Sequence, residues 1–152
     1  MLERLRFTGK KALVTGAAGG IGLALVSALR RQGAAVAAAD RDTASVDADV
    51  RLPGDLLETG YTEEGLPAAA ADGLGGLDIV VNNAGGSGGR NVSRPMECNM
   101  TVNLTAPFLL IKAALPTCGK PKVRSLTSAP LKEWDRIPVT SPIAPRSQDC
   151  MV

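Results

Sequence analysis

The 152-residue chain is 45% hydrophobic and 21% charged, with a net charge of +2, which fits one globular domain and is too weak a charge to argue for nucleic acid or an anionic membrane as a partner. It has no histidine, which excludes histidine triads, the usual catalytic zinc sites and imidazole acid–base chemistry, so no metal is expected. No run of 18 apolar residues suggests a membrane span, and three cysteines without CxxC spacing predict a reducing, cytoplasmic setting.

The N-terminal residues read as the lead into a first strand over 11–15, with no signal-peptide pattern. A glycine-rich turn follows, and then a helix over 21–32. Ile21, Leu25, Ala28 and Leu29 mark its predicted buried face, Arg30 and Arg31 occupy its last turn, and Gly33 stops it. A second strand over 34–39 ends at Asp40. The polar stretch 41–51 is too short for a full helix, and a third strand over 50–52 runs into Gly54, Asp55 and Leu56. An alanine-rich helix is predicted over 62–73, and LDIVV at 77–81 is the clearest strand, leading into Asn82-Asn83-Ala84-Gly85. After a glycine-rich loop, a long helix covers 95–115. Met96, Met100, Asn103, Leu104, Pro107, Phe108 and Ile111 lie along one side, and Pro107 is expected to bend it. Residues 122–127 are one more candidate strand.

Strands alternating with helices at this spacing predict an α/β fold, a doubly wound parallel sheet covered on both faces. Right-handed crossovers then bring the carboxyl ends of the strands, with Gly16, Asp40, Asp55 and Asn82, to one edge. Glycines that leave a strand and open a helix let backbone approach a phosphate, and the helix N-terminus offers N–H groups and positive potential. In that reading Gly16, Gly20 and Gly22 form the turn and Ile21 donates a backbone N–H to a pyrophosphate; the alternative is a turn that binds nothing. Asp40 can accept both ribose hydroxyls and repel a 2′-phosphate, favouring NAD over NADP, although Arg41 could receive that phosphate. The competing role for Asp40 is a helix N-cap or a turn aspartate. Asp55 and Leu56 could meet an adenine edge or form a solvated turn. The two asparagines can tie neighbouring backbone segments, and Ala84-Gly85 leaves room for a ribose. Asn103 is expected to be buried in the middle of an apolar helix face, where it either bends the helix around a water or reaches a bonding partner.

Thr15-Gly16-Ala17-Ala18-Gly19-Gly20-Ile21-Gly22 resembles the TGxxxGIG cofactor motif of the short-chain dehydrogenases/reductases, and Asn82-Asn83-Ala84-Gly85 matches their NNAG motif letter for letter. The resemblance covers about residues 7–115. It implies a Rossmann-like fold, an NAD(P) cofactor and hydride exchange between nicotinamide and an alcohol or carbonyl. It also implies that Asp40 is the NAD-selecting acid, Asp55 the adenine-binding acid and Asn103 the asparagine of an Asn-Ser-Tyr-Lys tetrad. Lys122 to Ser128 faintly resembles the strand carrying the family serine, which makes Ser128 a candidate. The YxxxK pair of the family is absent: Tyr61 is the single tyrosine and lies before the fourth strand, away from the expected catalytic position.

Composition changes near Pro116. Residues 116–152 hold six of the ten prolines, one of the seventeen glycines and six Lys/Arg against three Asp/Glu. The expected organisation is therefore an N-terminal part of a Rossmann-like domain at 1–115, extending at most to 128, and an irregular tail at 116–152. A frame-shifted or alternatively ended reading of a longer gene would produce this change, and a YxxxK downstream of Leu115 in another frame is the test. Three functional expectations follow. The chain is a cofactor-binding fragment of an oxidoreductase with little turnover, or a non-catalytic nucleotide-binding regulatory module, or a pseudogene product that does not accumulate. Family members form homo-oligomers.

Overall fold

A computed structural model of the chain describes residues 7–58, 60–85, 96–117 and 124–127. Five parallel strands, β1 (Lys11–Thr15), β2 (Ala35–Asp40), β3 (Val50–Pro53), β4 (Ile79–Asn82) and β5 (Arg124–Thr127), form one sheet in the order β3-β2-β1-β4-β5. Helix α1 (Gly20–Arg31) follows β1, and α2 (Leu66–Leu74) follows β3. Between β4 and β5, α3 (Met96–Met100) and α4 (Ala106–Thr117) flank a widened turn.

Strand alternation explains why the apolar runs are continuous. Ala12, Val14, Val36, Ala38, Ile79 and Val81 pack on one face with Val26 and Leu29 of α1. Leu13, Ala37, Ala39 and Val80 point the other way, against Leu66, Ala70, Leu110 and Ala114 of α2 and α4. Both faces are buried, so neither register of a strand is left polar. The sheet and its two helical layers agree with the fold read from the sequence.

The helical faces correct several expectations. In α1 the buried residues are Gly22, Val26 and Leu29, while Ile21 is 69% exposed. The helix begins one residue earlier than expected, and Gly22 rather than Ile21 meets the first strand. Along the segment 96–117, Ala106, Leu110 and Ala114 of α4 face the core, whereas Met100, Leu104 and Phe108 are more than half exposed. By length and composition Glu97–Leu115 is apolar enough to cross a membrane, although polar residues such as Asn99, Asn103 and Lys112 interrupt its apolar run. The three core-facing residues of this helix are spent on the domain itself.

Both widened turns stand immediately before a proline. In Tyr61–Gly65 the Leu66 N–H reaches back five residues to the Tyr61 carbonyl, and Pro67 follows. In Thr101–Thr105 the Ala106 N–H reaches the Thr101 carbonyl, and Pro107 follows. A proline ring has no N–H and crowds the carbonyl four residues back, and a π-type turn relieves the crowding by admitting one extra residue. Pro107 thus widens the helix where a bend was expected.

The crossover 41–49 holds its place without a helix. Arg30 pairs with Asp47 and, at 3.5 Å, with Asp49, whose carboxylate also accepts from the Val36 N–H at 2.8 Å. Gly33, with φ +87°, ends the turn after α1, and a methyl there would come within 3.0 Å of Thr8 Oγ1. Gly33→Ala is expected to cost about 1–2 kcal/mol in urea unfolding, and an unchanged midpoint would contradict this account.

Candidate functional site

A cleft of about 370 Å³ runs along the carboxyl ends of the strands. The sheet order sets its layout. On the β3 and β2 side stand Tyr61, Gly54, Asp55, Leu56, Asp40 and Arg41. Gly16 and the start of α1 form its middle. Asn83, Ala84, Gly85, Cys98, Asn99 and Val102 lie on the β4 side. The chain reverses its direction of travel across the sheet between β1 and β4, the place where a doubly wound fold opens a crevice.

The floor is built by close backbone approach. Gly16 has φ +63°, and a methyl there would sit 2.8 Å from the Ala84 Cα, so only glycine lets the two loops touch. At Gly22 a methyl would fall on the Gly16 carbonyl oxygen, so the helix can lie against the strand end only without one. Gly20 is different. A methyl there would meet no protein atom within 4 Å, yet the residue lines the cleft. The side of Gly20 where a side chain would stand is open space. No side chain caps α1 and no acidic residue stands in its first turn, so positive potential at that helix end is not cancelled from within.

Two straps hold the loops around this floor. Thr15, buried, donates its hydroxyl to the Val81 carbonyl at 3.3 Å and accepts the N–H groups of Asn83 and Ala84 at 3.2 and 3.1 Å. Asn83 returns the contact, its amide donating to the carbonyls of Thr15 at 3.1 Å and Gly16 at 3.0 Å. Asp40 accepts the Ala18 N–H at 3.0 Å and the Arg41 N–H at 2.7 Å, which pins the glycine turn to the end of β2. It caps no helix.

The sequence-derived residues divide clearly. Gly16, Gly20, Ile21, Gly22, Asp40, Asp55, Leu56, Ala84 and Gly85 come together along the cleft. Asn82 does not line it: this last residue of β4 is 2% exposed and turns into the fold. Its neighbour Asn83 takes the cleft position, because successive side chains at a strand end point to opposite sides. Asn103 lies in the widened turn 101–105 and is exposed, contrary to the expectation of burial, with its Oδ1 3.2 Å from where a Gly85 Cβ would be. Ser128 and the glycines at 86, 88 and 89 lie outside the described residues, and among those described no cluster of side chains could hold a metal.

Tyr61 is the residue that sequence reasoning set aside and the fold brings back. It lines the cleft and donates its hydroxyl to the Leu52 carbonyl at 2.8 Å. Burial, reinforced by the Asp40 charge, pushes its pKa up from 10.0 to about 12. The phenol therefore stays protonated near neutrality and stands at the end of the cleft away from Asn103. Its raised folded-state pKa favours the fold fully below pH 10, and this contribution is lost as pH climbs through about 12. Phenolate absorbance of this single tyrosine is expected to rise near pH 12 in the folded chain and near 10 in urea; coincident curves would refute its burial. Cys98, Asn99 and Val102 were also not anticipated, since only the packing of the α3–α4 segment across β4 brings them to the cleft.

A short-chain dehydrogenase family model matches residues 10–123. This chain belongs to the short-chain dehydrogenase family. It is 44% identical over 87 residues to L-xylulose reductase from Bos taurus, a stretch covering 53% of this chain and 34% of the relative. With L-fucose dehydrogenase from Rattus norvegicus the identity is 34% over 129 residues, covering 77% of this chain and 47% of the relative. The chain thus spans about half or less of the length of these curated relatives. Among solved structures, a short chain dehydrogenase from Burkholderia cenocepacia in complex with NADP superposes with a TM-score of 0.68 at 28% identity, covering 80% of this chain and 56% of that one. A short-chain type dehydrogenase/reductase from Mycobacterium marinum gives a TM-score of 0.61 at 31% identity, covering 74% and 51%. As in other short-chain dehydrogenases, the fold is Rossmann-like and the family chemistry is NAD(P)-dependent oxidoreduction.

Proposed function

We propose that this chain is the cofactor-holding part of a short-chain dehydrogenase, binding NAD in preference to NADP and exchanging hydride with an alcohol or carbonyl only weakly. The observation that carries the reading is the uncapped, glycine-lined start of α1 opening onto the same cleft as Asp40. The residues present fit a dinucleotide: the vacant side of Gly20 leaves room for a phosphate against the backbone. Ile21 and its neighbours would donate N–H groups to the pyrophosphate. Asp40, whose two oxygens each keep lone-pair capacity after accepting one backbone N–H, would take the ribose hydroxyls. Asp55 and Leu56 would meet the adenine, and Asn82 would support the Asn83-Ala84-Gly85 loop from beneath. The nicotinamide supplies or receives the hydride. Asn103, beside Gly85, and Ser128, which lies outside the described residues, are the catalytic candidates. The proposed working unit is 1–115, continuing to at most 128, in a cytoplasmic setting.

Low turnover follows from chemistry. No YxxxK pair exists in this sequence, and Tyr61 is engaged with Leu52 and too weakly acidic to serve. Loss of a general acid/base costs about 10²–10⁴ in rate. That same placement of Tyr61 favours a second reading, a nucleotide-binding module without catalysis. Thermal shift of the purified chain with NAD and with NADP is the test. Stabilisation by NAD at lower concentration than NADP supports the proposal, and stabilisation by neither overturns it. Carbonyl reduction by the NAD-stabilised chain separates the two readings. Asp40→Ser is expected to weaken NAD about tenfold and narrow the gap to NADP, in which Arg41 would then receive the 2′-phosphate.

A further inference from the structure

Several neighbouring features hold Tyr61 in its position. Pro67 widens the turn Tyr61–Gly65 and so sets where the first residue of that turn points. Gly54 provides the recess, since a methyl there would run into Cε2 and Cζ of the tyrosine ring. The hydroxyl is tied to the Leu52 carbonyl of β3, and the ring also packs at the margin of the core formed with Leu66 and Ala70. A ring held at its tip and along its edge has little freedom left to lose on meeting a ligand. It borders the β3 side of the cleft, with Asp55 and Leu56, and not the side of Asn83 to Gly85.

We propose that Tyr61 is the aromatic wall of the adenine subsite, a positioning residue that presents a rigid ring to the purine and contributes no proton transfer. The proposal rests on the dinucleotide reading above and deepens it. A planar base and an aromatic ring attract through their π-faces and bury apolar area together, with little dependence on hydrogen-bond pattern. A carboxylate and a neutral phenol side by side suit an adenosine: Asp40 is placed for the sugar and the ring for the base. The hydroxyl, being engaged with Leu52, is not needed by the ligand. The ring should therefore matter and the oxygen much less.

The single tyrosine makes a direct test possible. With ring-labelled tyrosine in the full chain, the Tyr61 resonances are expected to move on adding AMP or NAD and to stay in place with nicotinamide mononucleotide. Tyr61→Phe should keep AMP affinity within about threefold, and Tyr61→Leu should lose about tenfold to a hundredfold. Pro67→Ala, which lets the turn regularise, should weaken AMP while leaving the ring present. Calorimetry on the unaltered chain separates the two levels of the argument. NAD binding with Tyr61 resonances unmoved by AMP, or moved equally by nicotinamide mononucleotide, overturns the adenine wall and spares the dinucleotide site. Absence of NAD binding removes both.

Discussion

Replacing Gly20 with alanine is expected to leave the fold intact and sharply reduce the stabilisation of the chain by dinucleotide. A methyl at Gly20 meets no protein atom within 4 Å, and alanine in a helix is favoured over glycine by about 0.5–1 kcal/mol, so the unfolding midpoint should hold or rise. The methyl would instead occupy the space at the head of α1 where we place the pyrophosphate, and affinity should fall at least about tenfold, or 1.4 kcal/mol. Gly22→Ala is the informative partner. Its methyl lands on the Gly16 carbonyl oxygen, forcing α1 away from β1, so both binding and stability should drop, the latter by about 1–3 kcal/mol. Urea unfolding and cofactor thermal shift on the two variants distinguish a glycine kept for ligand from one kept for packing. Equal NAD affinity in Gly20→Ala and the unaltered chain would remove the phosphate role of this turn.

The second large effect belongs to Thr15. Thr15→Val keeps the shape and removes an oxygen that serves three backbone groups at once, in a position 1% exposed. The Ala84 N–H would lose its acceptor, at a cost of about 1–3 kcal/mol, while the Asn83 N–H would keep the Val81 carbonyl at 3.0 Å. A total loss of about 1–3 kcal/mol in urea unfolding is expected, together with weaker NAD binding as the loop 83–85 loosens from the glycine turn. Thr15→Ser, which retains the hydroxyl, should recover most of both. If valine proves as stable as threonine, the strap between β1 and β4 does not hold the cleft together.

Much of this architecture is legible in the chain because it is local. Apolar runs bounded by glycine or polar residues mark β1, β2 and β4, since a strand buried on both faces needs an unbroken run. The glycine turn identifies itself by standing between a strand and a helix. Faces of helices were less legible. Ile21 and Val26 are both aliphatic and compete for the inner side of α1; the start of the helix, and the contact of Gly22 with Gly16, decided for Val26. In α4, Leu110 and two small residues took the inner face. Ala106 and Ala114 let the helix approach α2 and the sheet, and the larger Met100, Leu104 and Phe108 were left outside.

By itself the sequence determined the doubly wound parallel sheet, the glycine turn at its switch point, and the acidic residues Asp40 and Asp55 at the strand ends, because each depends on periodicity or on neighbours a few residues apart. Only the tertiary structure decided that Asn83 and not Asn82 faces the cleft, that Thr15 ties two loops 68 residues apart in sequence, and that Tyr61 belongs to the site. Those outcomes depend on the pairing of β1 with β4 and of β2 with β3, and on two proline-widened turns. Contacts between distant segments follow from how strands pair and helices settle on them, and no pattern along the chain carries that information.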